Sequence, residues 1–204
     1  MNKSKVINKR TLAPGIVVYS DVLENHEELL QKIENGVSKN LEKWDLALSV
    51  VDGVQLQDKK IRDTDAMYIE YRDHIITESI HEYYEFRAEL SNAFLSGFKD
   101  LEADYKSEYN LSTTWHDCYG ILKYGAGQNV VDHIDDSQMH HRRMSTVYYF
   151  NDDYTGGEVI FPRFDIKYKP VANELLVFPS TYVYNHSVVP VVEGTRYAVV
   201  SWLR

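Results

Sequence analysis

Arg143-Met144-Ser145-Thr146-Val147-Tyr148-Tyr149-Phe150-Asn151, then Asp152-Asp153-Tyr154-Thr155-Gly156-Gly157, then Glu158-Val159-Ile160-Phe161-Pro162, is the stretch that decides the fold. A run of β-branched and aromatic residues, an acidic Gly-Gly turn and a second such run read as strand, turn, strand. The pattern continues on both sides. Strands are expected near 116–124, 129–135, 143–151, 158–162, 164–170, 174–179, 184–191 and 195–203, with Glu193-Gly194 as another tight turn. Short strands at this density imply an antiparallel sandwich or barrel. The double-stranded β-helix, or jelly roll, is the member of that group that carries a site in its mouth.

Upstream of Trp115 the character differs, and residues 1–113 read as mostly helical. Gly15 to Leu23 reads as an early strand. Asn25 with Glu28 three positions on has the spacing of a capping box and opens a helix through Leu29, Leu30 and Ile33. Asn35-Gly36 is expected to end or bend it. Residues 37–64 read as irregular. A long stripe then follows at steps of three and four: Ile76, Ile80, Tyr83, Phe86 or Arg87, Leu90, Phe94, Phe98, Leu101. That period specifies a helix with one buried face, packed on a sheet. The expected fold class is therefore mainly β with N-terminal helices (α+β), a jelly roll buttressed by helices. A single domain over 1–204 is expected, with a helical support region at 1–113 and a jelly-roll core at 114–204.

Composition narrows the function classes. The 204 residues include 44% hydrophobic and 26% charged side chains, ordinary values for a globular chain. A formal charge of −9 argues against a polyanionic partner such as DNA or RNA and suits a basic or neutral polypeptide. Cys118 is the only cysteine, which rules out an intramolecular disulfide and fits a reducing compartment. The opening MNKSKVINKR has no apolar run after its basic residues, so it does not read as a signal peptide. No segment approaches the ~20 apolar residues of a membrane span. The expected location is cytoplasmic, or host cytoplasm for a viral source, with no membrane partner.

Candidate chemistry centres on Asp132-His133-Ile134-Asp135. Alternate residues of a strand share a face, so His133 and Asp135 should project together. His186, on a later strand, can bring a second imidazole. Two imidazoles and one carboxylate on one side of a metal leave the opposite positions open, the facial donor set of non-haem Fe(II) oxygenases.

Four ordered blocks carry a family resemblance over roughly 116–203. Tyr124-Gly125-Ala126-Gly127-Gln128-Asn129-Val130-Val131-Asp132-His133-Ile134-Asp135 resembles the YxxGxxYxxHxD motif of the prolyl 4-hydroxylase group of Fe(II)/2-oxoglutarate oxygenases. Arg142 to Asn151 is similar to that group's R-x-x-T-x-x-x-Y-L-N strand. Asp152 to Glu158 matches its acidic turn ending GGE. Asn185-His186-Ser187-Val188-Val189-Pro190-Val191-Val192-Glu193-Gly194-Thr195-Arg196 resembles its HxVxPVxxGxR block, closed by Trp202. The chain departs from the pattern in three places. Val130 replaces a Tyr or Phe, Asn173 stands where Gly is common, and Phe150 replaces Leu.

The resemblance implies Fe(II) held by His133, Asp135 and His186, with 2-oxoglutarate and O₂ as co-substrates and ascorbate as a reductant. It implies that Arg196 pairs with the far carboxylate of 2-oxoglutarate, where a guanidinium gives the bidentate match that Lys does not. Tyr149, Tyr124 and Thr195 are further candidates for that pocket. Arg142 and Trp202 are candidates for the substrate side, Arg142 against the alternative of a surface salt bridge and Trp202 against plain packing. The implied activity is hydroxylation of prolyl residues in a protein or peptide, with succinate and CO₂ as co-products. The alternatives are hydroxylation of a free amino acid or other small molecule, and a silent cupin-like metal-binding module. His140-His141, Asp136, Asp152 and Asp153 read as exposed loop residues, and Cys118 as an inert core thiol.

Overall fold

The computed structural model describes residues 8–51, 54–70, 81–137 and 141–204. Its C-terminal half is built as the strand-and-turn pattern dictates. Strands β8 (Tyr119–Tyr124), β9 (Asn129–His133), β10 (Met144–Tyr149), β11 (Thr155–Gly156), β12 (Val159–Phe161), β13 (Ile166–Tyr168), β14 (Glu174–Pro179), β15 (His186–Val188), β16 (Val191–Glu193) and β17 (Arg196–Leu203) follow in order. The single strand expected over 184–191 is two, because Pro190 interrupts it between β15 and β16. Proline supplies no ladder N–H.

The first half contributes more strand than its sequence suggests. β1 (Asn8–Ala13) and β2 (Ile16–Ser20) form a hairpin, and β7 (Asp65–Ile69) lies in the segment before the long helix. β3 (Asp45–Leu46), β4 (Ser49–Val51), β5 (Val54–Leu56) and β6 (Arg62–Asp63) occupy the stretch read as irregular. The major sheet runs β1-β2-β14-β10-β17-β8-β7-β3, and the minor sheet β13-β12-β15-β9-β6. Residues before 114 are therefore not only a helical support. They supply both edges of the major sheet and one edge of the minor sheet.

Helix α1 spans His26–Ser38 and α2 spans Glu82–Glu108. The capping box is not formed, since Asn25 makes no side-chain cap hydrogen bond. Gly36 does not end α1, which runs on to Ser38. It is buried in the last turn, where a Cβ would lie 2.5 Å from the Phe86 ring. The stripe on α2 is buried as its period demands, at Phe86, Leu90, Phe94, Phe98, Leu101 and Tyr105. Ile76 and Ile80 lie outside the described residues. Arg87 is buried as well, pairing with Glu42 and donating to the Tyr68 carbonyl at 2.9 Å.

Strand alternation then sorts the major sheet into two faces. Tyr119 and Ile121, Met144 and Tyr148, Leu175 and Val177, Val199 and Leu203 pack against the helices. Their neighbours Leu122, Tyr124, Tyr149, Leu176, Ala198, Val200 and Trp202 face the minor sheet. Arg196 shares the second parity, on the strand that carries Ala198, Val200 and Trp202. Asn173, where a glycine is common in the resembled family, adopts φ +63. Asn tolerates that region. Its Oδ1 accepts from Leu23 N–H at 2.8 Å and Tyr148 hydroxyl at 3.0 Å, and its Nδ2 donates to Leu23 O at 2.9 Å.

Candidate metal and oxoacid site

β9 and β15 are neighbours in the minor sheet, and their register sets His133 directly opposite His186. The imidazole centroids are 4.3 Å apart. Each Nδ1 lies against a backbone carbonyl two residues upstream, His133 on Val131 at 3.0 Å and His186 on Tyr184 at 3.1 Å. A carbonyl only accepts, so each Nδ1 carries a proton, and in the neutral imidazole Nε2 is the nitrogen left with a lone pair. Both Nε2 atoms face Asp135, at 3.6 Å from Oδ1 and 3.9 Å from Oδ2. One donor atom from each of the three residues lies within 4.8 Å of the others. Orientation by a backbone carbonyl is the usual outer support of a metal-binding histidine.

Asp135 arrives differently from the sequence expectation. β9 ends at His133, and Asp135 lies in the loop beyond it. Strand alternation therefore does not place it. Its Oδ2 accepts from the Ser145 hydroxyl at 2.7 Å, and Ser145 Oγ lies 2.8 Å from Ser180 Oγ. Ser145 belongs to β10, so the carboxylate is anchored from the major sheet while the imidazoles come from the minor one. Burial by itself would raise the Asp135 pKa, but His186, His133 and Ser145 outweigh it and hold the group ionised, well below the usual carboxylate range. Burial, helped by His133, pushes His186 down to about 4. A neutral imidazole beside an ionised carboxylate is the protonation state a divalent metal needs.

The second cluster surrounds Arg196. This guanidinium is 1% exposed. Arg196 is opposite Tyr124 in the β17–β8 register, its guanidinium carbon 4.5 Å from the Tyr124 ring centroid and 5.1 Å from that of Tyr149. Its Nε and Nη1, and the hydroxyls of Tyr149 and Tyr154, are buried with no partner at hydrogen-bond geometry among the described residues. A buried cation with unpaired N–H groups is costly unless a ligand completes it, and a carboxylate fits this donor set. Thr195 is half-buried just before β17, and its carbonyl accepts from Asn151 Nδ2 at 2.7 Å.

Arg142 and Trp202 are brought together. The Arg142 guanidinium carbon lies 3.7 Å from the Trp202 ring centroid. Its Nε donates to Asp117 Oδ2 at 3.1 Å and its Nη1 to the Asp135 carbonyl at 3.4 Å. The sequence reading set a substrate role for Arg142 against a salt bridge, and the residue has a salt bridge beside the metal ligand. Asp117, which holds both Arg142 and Arg204, had no signal in the sequence. Val130, opposite Val188, is buried with Tyr124 and Trp202 between the sheets. Of the remaining candidates, His141, Asp152 and Asp153 are exposed, and His140 lies outside the described residues. Asp136 is a correction, since its Oδ1 is buried without a partner and its N–H donates to Ser180 O at 2.9 Å. Burial pushes the Cys118 thiol up to about 11, which keeps it protonated and unreactive.

The family model described as the 2OG-Fe(II) oxygenase superfamily matches residues 119–204, the stretch that carries every residue of both clusters. Residues 119–204 resemble a 2OG-Fe(II) oxygenase domain. Such a domain works with Fe(II), 2-oxoglutarate and O₂, and the donor sets above suit the first two. A PKHD-type hydroxylase of Maricaulis maris is 33% identical over 90 residues, 41% of this chain and 40% of that protein. The chain therefore matches well under half the length of this curated relative. Among solved structures, the oxygenase fold resembles a Trichoplax adhaerens prolyl hydroxylase, solved in complex with a hypoxia inducible factor oxygen degradation domain peptide. The TM-score is 0.70 at 19% identity, covering 93% of this chain and 83% of that one. A Pseudomonas putida prolyl-4-hydroxylase matches with TM-score 0.64 at 18% identity, covering 93% and 92%. A viral collagen prolyl hydroxylase from Paramecium Bursaria Chlorella virus-1, in a 2OG complex, gives 0.57 at 17%, covering 93% and 96%. The jelly-roll fold expected from the sequence is the fold of these neighbours.

Proposed function

We propose that the protein is an Fe(II)- and 2-oxoglutarate-dependent dioxygenase that hydroxylates prolyl residues in a protein or peptide. The observation that carries this is the pairing of two clusters across one interior. The minor sheet presents His133 and His186, the loop after β9 adds Asp135, and the major sheet presents a buried Arg196 whose Nε and Nη1 have no hydrogen-bond partner among the described residues. A metal-binding module without oxoacid chemistry has no use for the second.

In this reading His133 Nε2, Asp135 and His186 Nε2 hold the iron, and Arg196 with Tyr149 holds the far carboxylate of 2-oxoglutarate. Bound iron and oxoacid supply oxidative decarboxylation and C–H hydroxylation, releasing succinate and CO₂. The protein's own residues bind, orient and exclude water. The Nδ1–H bonds fix both imidazole planes, Ser145 fixes the carboxylate, and the apolar layer between the sheets keeps the pocket dry. Trp202 and Arg142 form the wall beside Asp135, with an aromatic face for a prolyl ring and guanidinium donors for peptide carbonyls. The net charge of −9 favours peptides with Lys or Arg near the target.

The test is mass spectrometry of proline-containing peptides, basic and neutral, after incubation with Fe(II), 2-oxoglutarate and ascorbate, with free proline in parallel. The reading expects a gain of one oxygen on a peptide proline. Oxidation of free proline alone would overturn the peptide assignment. Trp202→Ala is expected to lower peptide hydroxylation more than uncoupled 2-oxoglutarate turnover. A parallel loss of both, with a lower melting temperature, would mean that Trp202 only packs the core, at the usual cavity cost of ~3–5 kcal/mol.

A further inference from the structure

Tyr154 lies in the acidic Gly-Gly turn, where neither its sequence nor the family resemblance assigns it a role. Its ring is 5% exposed and its hydroxyl is buried with no partner at hydrogen-bond geometry among the described residues. The turn brings it onto Arg196. A Cβ built at Gly157 would lie 2.9 Å from Tyr154 Cε2 and 3.1 Å from Arg196 Cδ, so the two side chains meet over that glycine. Gly157 also has φ +65, a conformation that glycine adopts without a Cβ penalty.

We propose that Tyr154 is a specificity-determining residue of the co-substrate pocket, its hydroxyl binding the same distal carboxylate as Arg196 and Tyr149, with Lys169 as the positioning residue that holds it there. This rests on the oxygenase reading above. The donor count supports it. An ionised carboxylate offers about four lone-pair sites. Four buried donor atoms lack a partner at full hydrogen-bond geometry among the described residues, namely Arg196 Nε, Arg196 Nη1 and the Tyr149 and Tyr154 hydroxyls, and both hydroxyls interact with the Arg196 guanidinium. Leaving a buried hydroxyl unmatched is costly, whereas a charge-assisted bond from it is among the stronger hydrogen bonds. Burial above all raises the Tyr154 pKa, with Arg196 opposing, so the group stays a protonated donor.

Lys169 fixes the ring. Its Nζ lies 3.5 Å from the Tyr154 ring centroid and donates to the Tyr154 carbonyl at 2.9 Å and the Gly156 carbonyl at 2.8 Å. The ammonium thus ties both ends of the short turn and caps the ring face by a cation–π contact. A hydroxyl on a ring held this way is pre-oriented, and its bond to a ligand costs little ordering.

The experiment is direct calorimetric titration of 2-oxoglutarate into the full chain loaded with Mn(II), which binds without turning over. Tyr154→Phe keeps the ring and removes one donor. The expected result is an affinity about tenfold weaker, equivalent to ~1.4 kcal/mol. Mn(II) affinity alone and melting temperature should be unchanged. Pyruvate lacks the distal carboxylate and, titrated over its own concentration range, should bind parent and variant equally. Lys169→Met should weaken 2-oxoglutarate binding in the parent but add nothing in the Tyr154→Phe background. Equal 2-oxoglutarate affinity in parent and Tyr154→Phe, beside a loss in Tyr149→Phe, would overturn this proposal and leave the oxygenase reading standing. Equal losses for 2-oxoglutarate and pyruvate would overturn it too, as a packing effect. A parent that does not bind 2-oxoglutarate would overturn both.

Discussion

Asp135 shows how much one residue of this site depends on another. As a buried carboxylate it would favour its protonated form, and three neighbours keep it ionised. Only Ser145 among them is not itself a candidate ligand. Ser145→Ala leaves Asp135 Oδ2 without its 2.7 Å donor. Losing such a support typically costs ~10–100-fold in metal affinity. A titration of Mn(II) into Ser145→Ala should show a loss in that range with the fold intact, and an unchanged affinity would mean that Ser145 is packing only. At this scale the sequence was legible where chemistry is tied to a motif. His133, His186 and Arg196 could be named from their blocks; the two imidazoles stand opposite one another on β9 and β15, and Arg196 lies against Tyr124 and Tyr149. Asp117, Tyr154 and Lys169 could not, because a lone Asp, Tyr or Lys carries no spacing pattern. Their partners Arg142 and Arg196 are close in space and distant in sequence.

At the scale of elements, periodicity was a reliable guide where one face is buried over several turns. The stripe on α2 and the alternation of β17 are both clean, and β14 has the bounds expected of it. β7 was missed because Asp65-Ala66-Met67-Tyr68-Ile69 is only one short run. What makes it a strand is its ladder to β8, which runs from Asp65 opposite Lys123 to Ile69 opposite Tyr119, far apart in sequence. Gly36 was misread for a related reason. Its sequence suits a helix end, yet tertiary packing keeps the helix going, with Phe86 occupying the space of the missing side chain. Gly36→Ala sets two effects against each other. Helix propensity improves by ~1 kcal/mol, and overpacking against a buried aromatic costs ~1–3 kcal/mol. The second is expected to win, because Phe86 is itself enclosed in the helix–sheet core. Thermal melts should show a fall of about 2–4 °C per kcal/mol, whereas a rise would mean that Phe86 swings aside at little cost.

Across the whole molecule, Glu174 ties together parts that the sequence reading kept separate. It sits on β14 of the major sheet, pairs with Arg10 on the N-terminal hairpin, and accepts from the Tyr168 hydroxyl on β13 of the minor sheet. Burial opposes its charge, but Arg10 and Tyr168 outweigh that and lower its pKa below the ordinary 4.5. A carboxylate lowered on folding adds stability above its unfolded pKa and loses it as pH falls through the folded value. Metal-free protein should therefore lose stability on acidification below about pH 4.5. Glu174→Gln should start lower and fall less steeply over the same range. Parallel curves for the two proteins would remove Glu174 from the acid response. This link carries no sequence pattern, since residues 1–113 read as a helical support with one early strand and the hairpin partner of β2 is not marked by any alternation.

The central claim is that the His133–Asp135–His186 triad and the major-sheet arginine form one Fe(II)/2-oxoglutarate site, and the most direct measurement is anaerobic optical spectroscopy. Fe(II) and 2-oxoglutarate added together to the parent should produce a visible metal-to-ligand charge-transfer band that neither produces alone. His133→Ala should fold, give no band and show no 2-oxoglutarate turnover when air is admitted. A parent without the band, or a His133→Ala variant with band and turnover unchanged, would contradict the account.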